Sequence, residues 1–102
     1  MVNEISGIFD PSFNQLEQAM QITTMKQEII AHNIANAKTP GYEPLTFDEE
    51  LMMAVQKQGQ KEVVLEEELA DLSKNALKYS SYVKMLSSKL SVLRTIAAQG
   101  KR

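Results

Sequence analysis

The sequence predicts an all-α chain whose long N- and C-terminal helices form an antiparallel coiled-coil hairpin, with a short middle helix and loop between them. Three observations predict it. Apolar or small residues recur in unbroken four-three spacing at Leu65, Leu69, Leu72, Ala76, Tyr79, Val83, Leu86, Leu90, Leu93 and Ala97, the spacing of a coiled-coil seam. An amphipathic stretch begins near residue 11 and ends in a run of asparagines followed by Pro40-Gly41. The segment between the two stretches is short and mostly polar.

The 102 residues, 43% hydrophobic and 24% charged, fall in the globular range and make one domain spanning 1–102. The core is thin on composition: 6% aromatic residues and no Trp leave little margin unless a partner adds burial. The chain has no cysteine, which excludes disulfides, thiol nucleophiles and Cys-type zinc sites. The N-terminus has neither a basic start nor a signal-length apolar run, and no stretch approaches a spanning helix of about 18 apolar residues. Neither a cleaved signal peptide nor membrane insertion is expected.

The first helix is expected over about 11–36. Asp10-Pro11 offers a cap and a first-turn proline, and Ser12-Phe13-Asn14-Gln15 offers a competing capping box. Phe13, Leu16, Met20, Ile30 and Ile34 form one stripe, interrupted by polar Thr23 and Gln27. Ile22, Met25 and Ile29 form a second, so two burial surfaces are required. Asn33 and Asn36 disfavour helix interior, and Asn36 in a left-handed conformation would end the helix. Pro40-Gly41 suits the central positions of a type II turn.

The turn and a short helix fill about 37–62. Thr46-Phe47-Asp48-Glu49 reads as a capping box, and Phe47, Leu51 and Val55 follow at one-turn spacing, so the helix is expected near 47–57 with Gly59 ending it. Gln56 to Lys61 has no apolar side chain and reads as a surface loop. The second long helix is expected over about 63–99, with Gly100 as its stop. Tyr82, Met85, Val92 and Ile96 give it a partial second face.

Charge is segregated along the chain. Residues 48–71 carry eight acids and two bases, whereas 72–102 carry seven bases and no acid. Acids Glu66, Glu67, Glu68 and Asp71 at a helix start, with Arg94, Lys101 and Arg102 near its end, complement the helix dipole. That explains the acidic group better than a cation cage, because consecutive helix positions diverge around the axis. The lysines at 74, 78, 84 and 89 are spread around a helix that already has an apolar seam, which argues against nucleic-acid binding. His32, the single histidine, has asparagines for neighbours and no acid-base partner in sequence. No phosphate-binding glycine loop exists, so no cofactor, metal, small-molecule substrate or catalytic constellation is expected.

The run Gln27-Glu28-Ile29-Ile30-Ala31-His32-Asn33-Ile34-Ala35-Asn36-Ala37-Lys38-Thr39-Pro40-Gly41-Tyr42 resembles the N-terminal signature of bacterial flagellar rod, hook and hook-associated axial proteins. Met25 to Glu28, Lys74 to Tyr79 and Leu86 to Arg94 are most similar to its proximal rod members, and the short middle also favours these over hook proteins. Histidine at 32 departs from the second asparagine of many relatives. The resemblance implies a non-enzymatic structural subunit of the basal-body rod, exported uncleaved through the flagellar type III apparatus and located in the periplasmic rod. It implies other proximal rod subunits, the rod to MS-ring junction protein and the MS ring as partners. It also implies that Asn33, Ile34, Ala35, Asn36, Thr39, Pro40, Gly41 and Tyr42 shape the helix end for subunit packing. The alternative from the residues alone is a stand-alone helical-hairpin adaptor or export-associated binding module.

Overall fold

The computed structural model describes residues 11–100. Its elements are α1 (Pro11–Ala35), β1 (Leu45–Asp48), β2 (Met53–Gln56) and α2 (Leu65–Gly100). Helix is the dominant structure, and a small two-stranded antiparallel sheet accompanies it. Asp10, Lys101 and Arg102, invoked above for capping and dipole, lie outside the described residues.

The first helix begins at Pro11, where a missing N–H costs nothing, and its last helical residue is Ala35. Helix α2 begins at Leu65 inside the expected window, with Glu66, Glu67 and Glu68 in its first turn. Gly100 does not stop it within the described residues, being still helical there.

The two helices lie along each other in opposite directions. At one end Lys89 Nζ donates to Ser12 Oγ at 2.7 Å, and nearer the other Asn75 Nδ2 donates to Thr23 O at 2.7 Å and to Gln27 Oε1 at 2.9 Å. The resulting body measures 65 × 24 × 17 Å with a radius of gyration of 18.9 Å, against about 13 Å for a compact chain of 100 residues.

So long a body has a narrow core. Among the described residues the buried apolar side chains are Leu16, Ile30 and Pro44. Leu16, Thr23 and Ile30 recur at seven-residue intervals on α1 and face a line on α2 made of Glu68, Leu72, Asn75, Tyr82, Leu86, Lys89 and Leu93, all buried or half-buried. The polar interruptions of the first stripe are thereby accounted for. Thr23 and Gln27 receive the Asn75 amide, while the Thr23 hydroxyl donates back to Ala19 O. A polar layer of this kind is satisfied in one alignment only, so it fixes how far one helix slides along the other.

The middle segment is a β-hairpin, which corrects the expected short helix. Leu45 pairs with Gln56, Thr46 with Val55, Phe47 with Ala54 and Asp48 with Met53. Asp48 Oδ1 does accept backbone N–H groups, from Glu50 at 2.9 Å and Leu51 at 3.1 Å, but this closes a turn rather than starting a helix. Met52 follows with φ of 54°, outside helical space. Helical spacing of Phe47, Leu51 and Val55 would need Leu51 inward, yet it is 61% exposed. A period of two, with Leu45, Phe47 and Val55 half-buried, is the pattern used. Gly59, with φ of 79°, lies in the loop after β2 and has no helix to end.

The polar layer yields a direct test. Replacing Asn75 with Ala leaves Gln27 without its cross-helix donor and costs about 1–2 kcal/mol, read as a lowered urea midpoint with an unchanged slope. Asn75→Asp costs more, since it puts an acceptor against the Thr23 carbonyl.

Candidate assembly interface

The end of α1 is tied to the sheet by one side chain. Asn33, 1% exposed, donates from Nδ2 to Leu45 O at 2.8 Å and accepts Leu45 N–H on Oδ1 at 2.9 Å. Its amide thus occupies both backbone groups of Leu45, as a neighbouring strand would. The same Oδ1 accepts the Tyr42 hydroxyl at 2.6 Å. Tyr42 is placed by the turn before it: Tyr42 N–H donates to Thr39 O at 3.2 Å and Gly41 has φ of 77°, the type II turn expected of Pro40-Gly41.

Asn36 takes a different part from the left-handed stop expected of it, because Met52 is the one non-glycine residue with positive φ among those described. Its N–H and its Nδ2 both donate to His32 O, at 3.1 and 2.9 Å. Its own carbonyl accepts from Thr39 N–H at 3.0 Å, and its Oδ1 from Thr39 Oγ1 at 3.2 Å. Ala37 N–H donates to Ile34 O at 3.3 Å, tightening the last turn. Of the signature residues, Asn33 is buried, Ile34, Asn36 and Tyr42 are half-buried, and Ala35, Thr39, Pro40 and Gly41 are exposed. His32 is exposed and meets the Tyr42 ring edge-on at 5.4 Å.

Glu68 is the largest departure from the sequence reading. The dipole argument makes it a surface acid like Glu66 and Glu67, yet it is 2% exposed and accepts from Lys57 Nζ at 3.1 Å. Lys57 is held in range by its own backbone, whose N–H donates to Pro44 O at 2.9 Å. Burial, and then the charge of Glu68, push the Tyr42 hydroxyl above its ordinary pKa of 10.0. On the solvent side, Lys26 Nζ donates to Glu49 at 2.9 Å. That hydrogen bond, with the Lys26 charge behind it and Lys78 further off, lowers the Glu49 pKa. An open cleft of about 250 Å³ separates these elements, with Ile30 and Phe47 in its lining and Lys74 and Lys78 at its side.

The ten seam positions are divided between two environments. Leu72, Leu86 and Leu93 are half-buried against α1, whereas Leu65, Leu69, Ala76, Tyr79, Val83, Leu90 and Ala97 are exposed. Met85 and Val92, 55% and 58% exposed, add a second uncovered line. A shallow groove of about 870 Å³ runs between the helices past Phe13, Met20, Met25, Tyr79 and Leu86. The exposed apolar side chains thus run along two separate lines of α2. Among the described residues no group of three potential metal ligands occurs, and no helix is long and apolar enough to cross a membrane.

Glu68, Lys57 and Asn75 are the residues that sequence reasoning missed. Asn75 carried a signal: it falls on the α2 line that includes Leu72 and Leu86, opposite two polar breaks in the α1 stripe. Glu68 carried none, since its partner lies across a loop.

Residues 13–42, from the start of α1 through the turn, match the model of the family described as flagella basal body rod protein. The chain is also 46% identical over 48 residues to the flagellar basal body rod protein FlgB of Buchnera aphidicola subsp. Acyrthosiphon pisum (strain APS), a match covering 47% of this chain and 33% of that protein. The match to that protein spans about a third of its length.

Three outcomes follow from the Asn33 contacts, the Lys57–Glu68 pair and the Tyr42 hydroxyl. Asn33→Asp removes the donor to Leu45 O and buries a charge, costing about 3 kcal/mol in denaturant unfolding, against about 1 for Tyr42→Phe. Lys57→Ala, which strands the Glu68 carboxylate, destabilises more than Glu68→Leu, because Lys57 is 23% exposed and can turn to water. A raised Tyr42 pKa means the folded state favours the neutral hydroxyl. Its contribution is therefore complete below pH 10.0 and is lost as pH rises through the folded value. Unfolding measured from neutral to strongly alkaline pH shows this loss in the wild type, and a smaller one in Tyr42→Phe.

Proposed function

We propose that this chain is a structural subunit of the flagellar basal-body rod, in the proximal rod, which joins the MS ring to the distal rod and transmits torque for motility. The observation that carries the reading is the rod-family segment at residues 13–42 on a helix pair with uncovered apolar lines. In this reading α1 and α2 pair as an antiparallel coiled coil. The exposed line of α2 at Met85 and Val92 packs against neighbouring subunits. Asn33, Asn36 and Tyr42 hold the end of α1 and its turn in one shape, and Ala35, Thr39, Pro40 and Gly41 present that shape to a neighbour.

The partners in this proposal are other proximal rod subunits, the junction protein between rod and MS ring, and the MS ring. The flagellar type III apparatus exports the chain uncleaved to the periplasmic rod. Burial supports assembly as the source of stability: among the described residues three apolar side chains are fully buried, each large one supplying about 1.5–3 kcal/mol. Lines as exposed as Met85 and Val92 supply that only when a neighbour covers them.

A chromosomal deletion tests the proposal. The deleted strain is expected to build no complete rod and not to swim. Wild-type protein restores swimming, and the Met85→Asp, Val92→Asp double variant does not, although its isolated circular dichroism is unchanged. A deletion strain that swims with a complete rod rejects the reading in favour of an adaptor.

A further inference from the structure

The outward side of α2 carries two adjacent lines, both exposed along their whole length. One is apolar or small, Leu69, Ala76, Val83 and Leu90; the other is polar, Glu66, Ser73, Ser80, Ser87 and Arg94. Both repeat at seven residues, and the second begins with an acid and ends with a base. This order is self-complementary when reversed.

We propose that this face of α2 binds a second copy of the chain, antiparallel, about a twofold axis at Ser80. In that register Glu66 stands opposite Arg94 at both ends, Ser73 opposite Ser87, and Ser80 opposite itself. The neighbouring line falls into step to within one residue, with Leu69 against Leu90 and Ala76 against Val83. Large pairs therefore close the ends and small ones the middle, where the serines let the backbones approach. Charge selects the direction. A parallel pair in register sets Glu66 against Glu66 and Arg94 against Arg94, and like charges so placed disfavour it. An apolar recess of about 430 Å³, walled by Ala76, Tyr79 and Thr24, borders the stripe and receives part of the second copy.

The contact is isologous and closes at two copies, unlike the open-ended contacts of a growing polymer. It uses the Val83 side of α2 and leaves Met85 and Val92 uncovered. The inference does not depend on the rod assignment, and a swimming deletion strain leaves it intact.

The absence of cysteine from the sequence makes the test clean. In the full chain, Ser80→Cys is expected to oxidise to a disulfide-linked dimer. Glu66→Cys alone stays unlinked, whereas a mixture of Glu66→Cys and Arg94→Cys chains links. Sedimentation equilibrium of the wild type shows monomer and dimer. Arg94→Glu weakens the dimer about tenfold through two reversed pairs, and Glu66→Arg with Arg94→Glu recovers it. A wild type that stays monomeric at every concentration overturns the proposal. So does Glu66→Cys linking to itself, which marks a parallel pair, or an Arg94→Glu effect that the charge swap does not rescue.

Discussion

Everything at the sheet end of the molecule depends on the Asn33 amide. A helix that stops at Ala35 and a strand that starts at Leu45 are joined by a turn, and a turn alone leaves their relative placement loose. Asn33 removes that freedom by satisfying both backbone groups of Leu45 and the Tyr42 hydroxyl at once. No other side chain does this at the same length: aspartate lacks the donor, glutamine places its amide one methylene too far, and leucine leaves three polar groups unpaired. Its burial is thus the position of least freedom in the fold. The cost of an asparagine in the last turns of a helix is offset by those three bonds.

The same logic recurs along the helix pair. Asn75 with Thr23 and Gln27, and Glu68 with Lys57, are polar contacts placed where a more self-sufficient protein would bury leucine. Polar contacts of this kind add little net stability, but they penalise every wrong alignment. The chain therefore has a well-specified alignment and a small core. Those two properties together suit a part whose shape must be set before its apolar lines find cover.

The helices were legible in the sequence because their signals are long: seven-residue spacing persists over thirty residues of α2, and Pro40-Gly41 has one economical reading. The hairpin was not. Phe47 and Val55 are compatible with both a helical and an alternating pattern, and Asp48 can cap a helix or close a turn through the same N–H groups. What decides between them is Asn33, twelve residues upstream of Leu45 and invisible to local pattern. Spacing likewise identified the apolar positions of α2 but not their division. A continuous four-three pattern cannot say that Leu72 and Leu86 turn toward α1 while Leu69 and Val83 do not, since Glu68 and Asn75, both polar, complete the inward line.

The unequal spacing of these ties along a 65 Å body has a dynamic consequence. Asn33 and Asn75 act on the half of the helix pair nearer the sheet, and Lys89 to Ser12 is among the contacts described toward the other end. Opening free energy is therefore graded along the pair, with backbone amides near Leu93 exchanging with solvent through small local openings and those near Ile30 only through larger ones. The protein is held most closely where the turn is displayed.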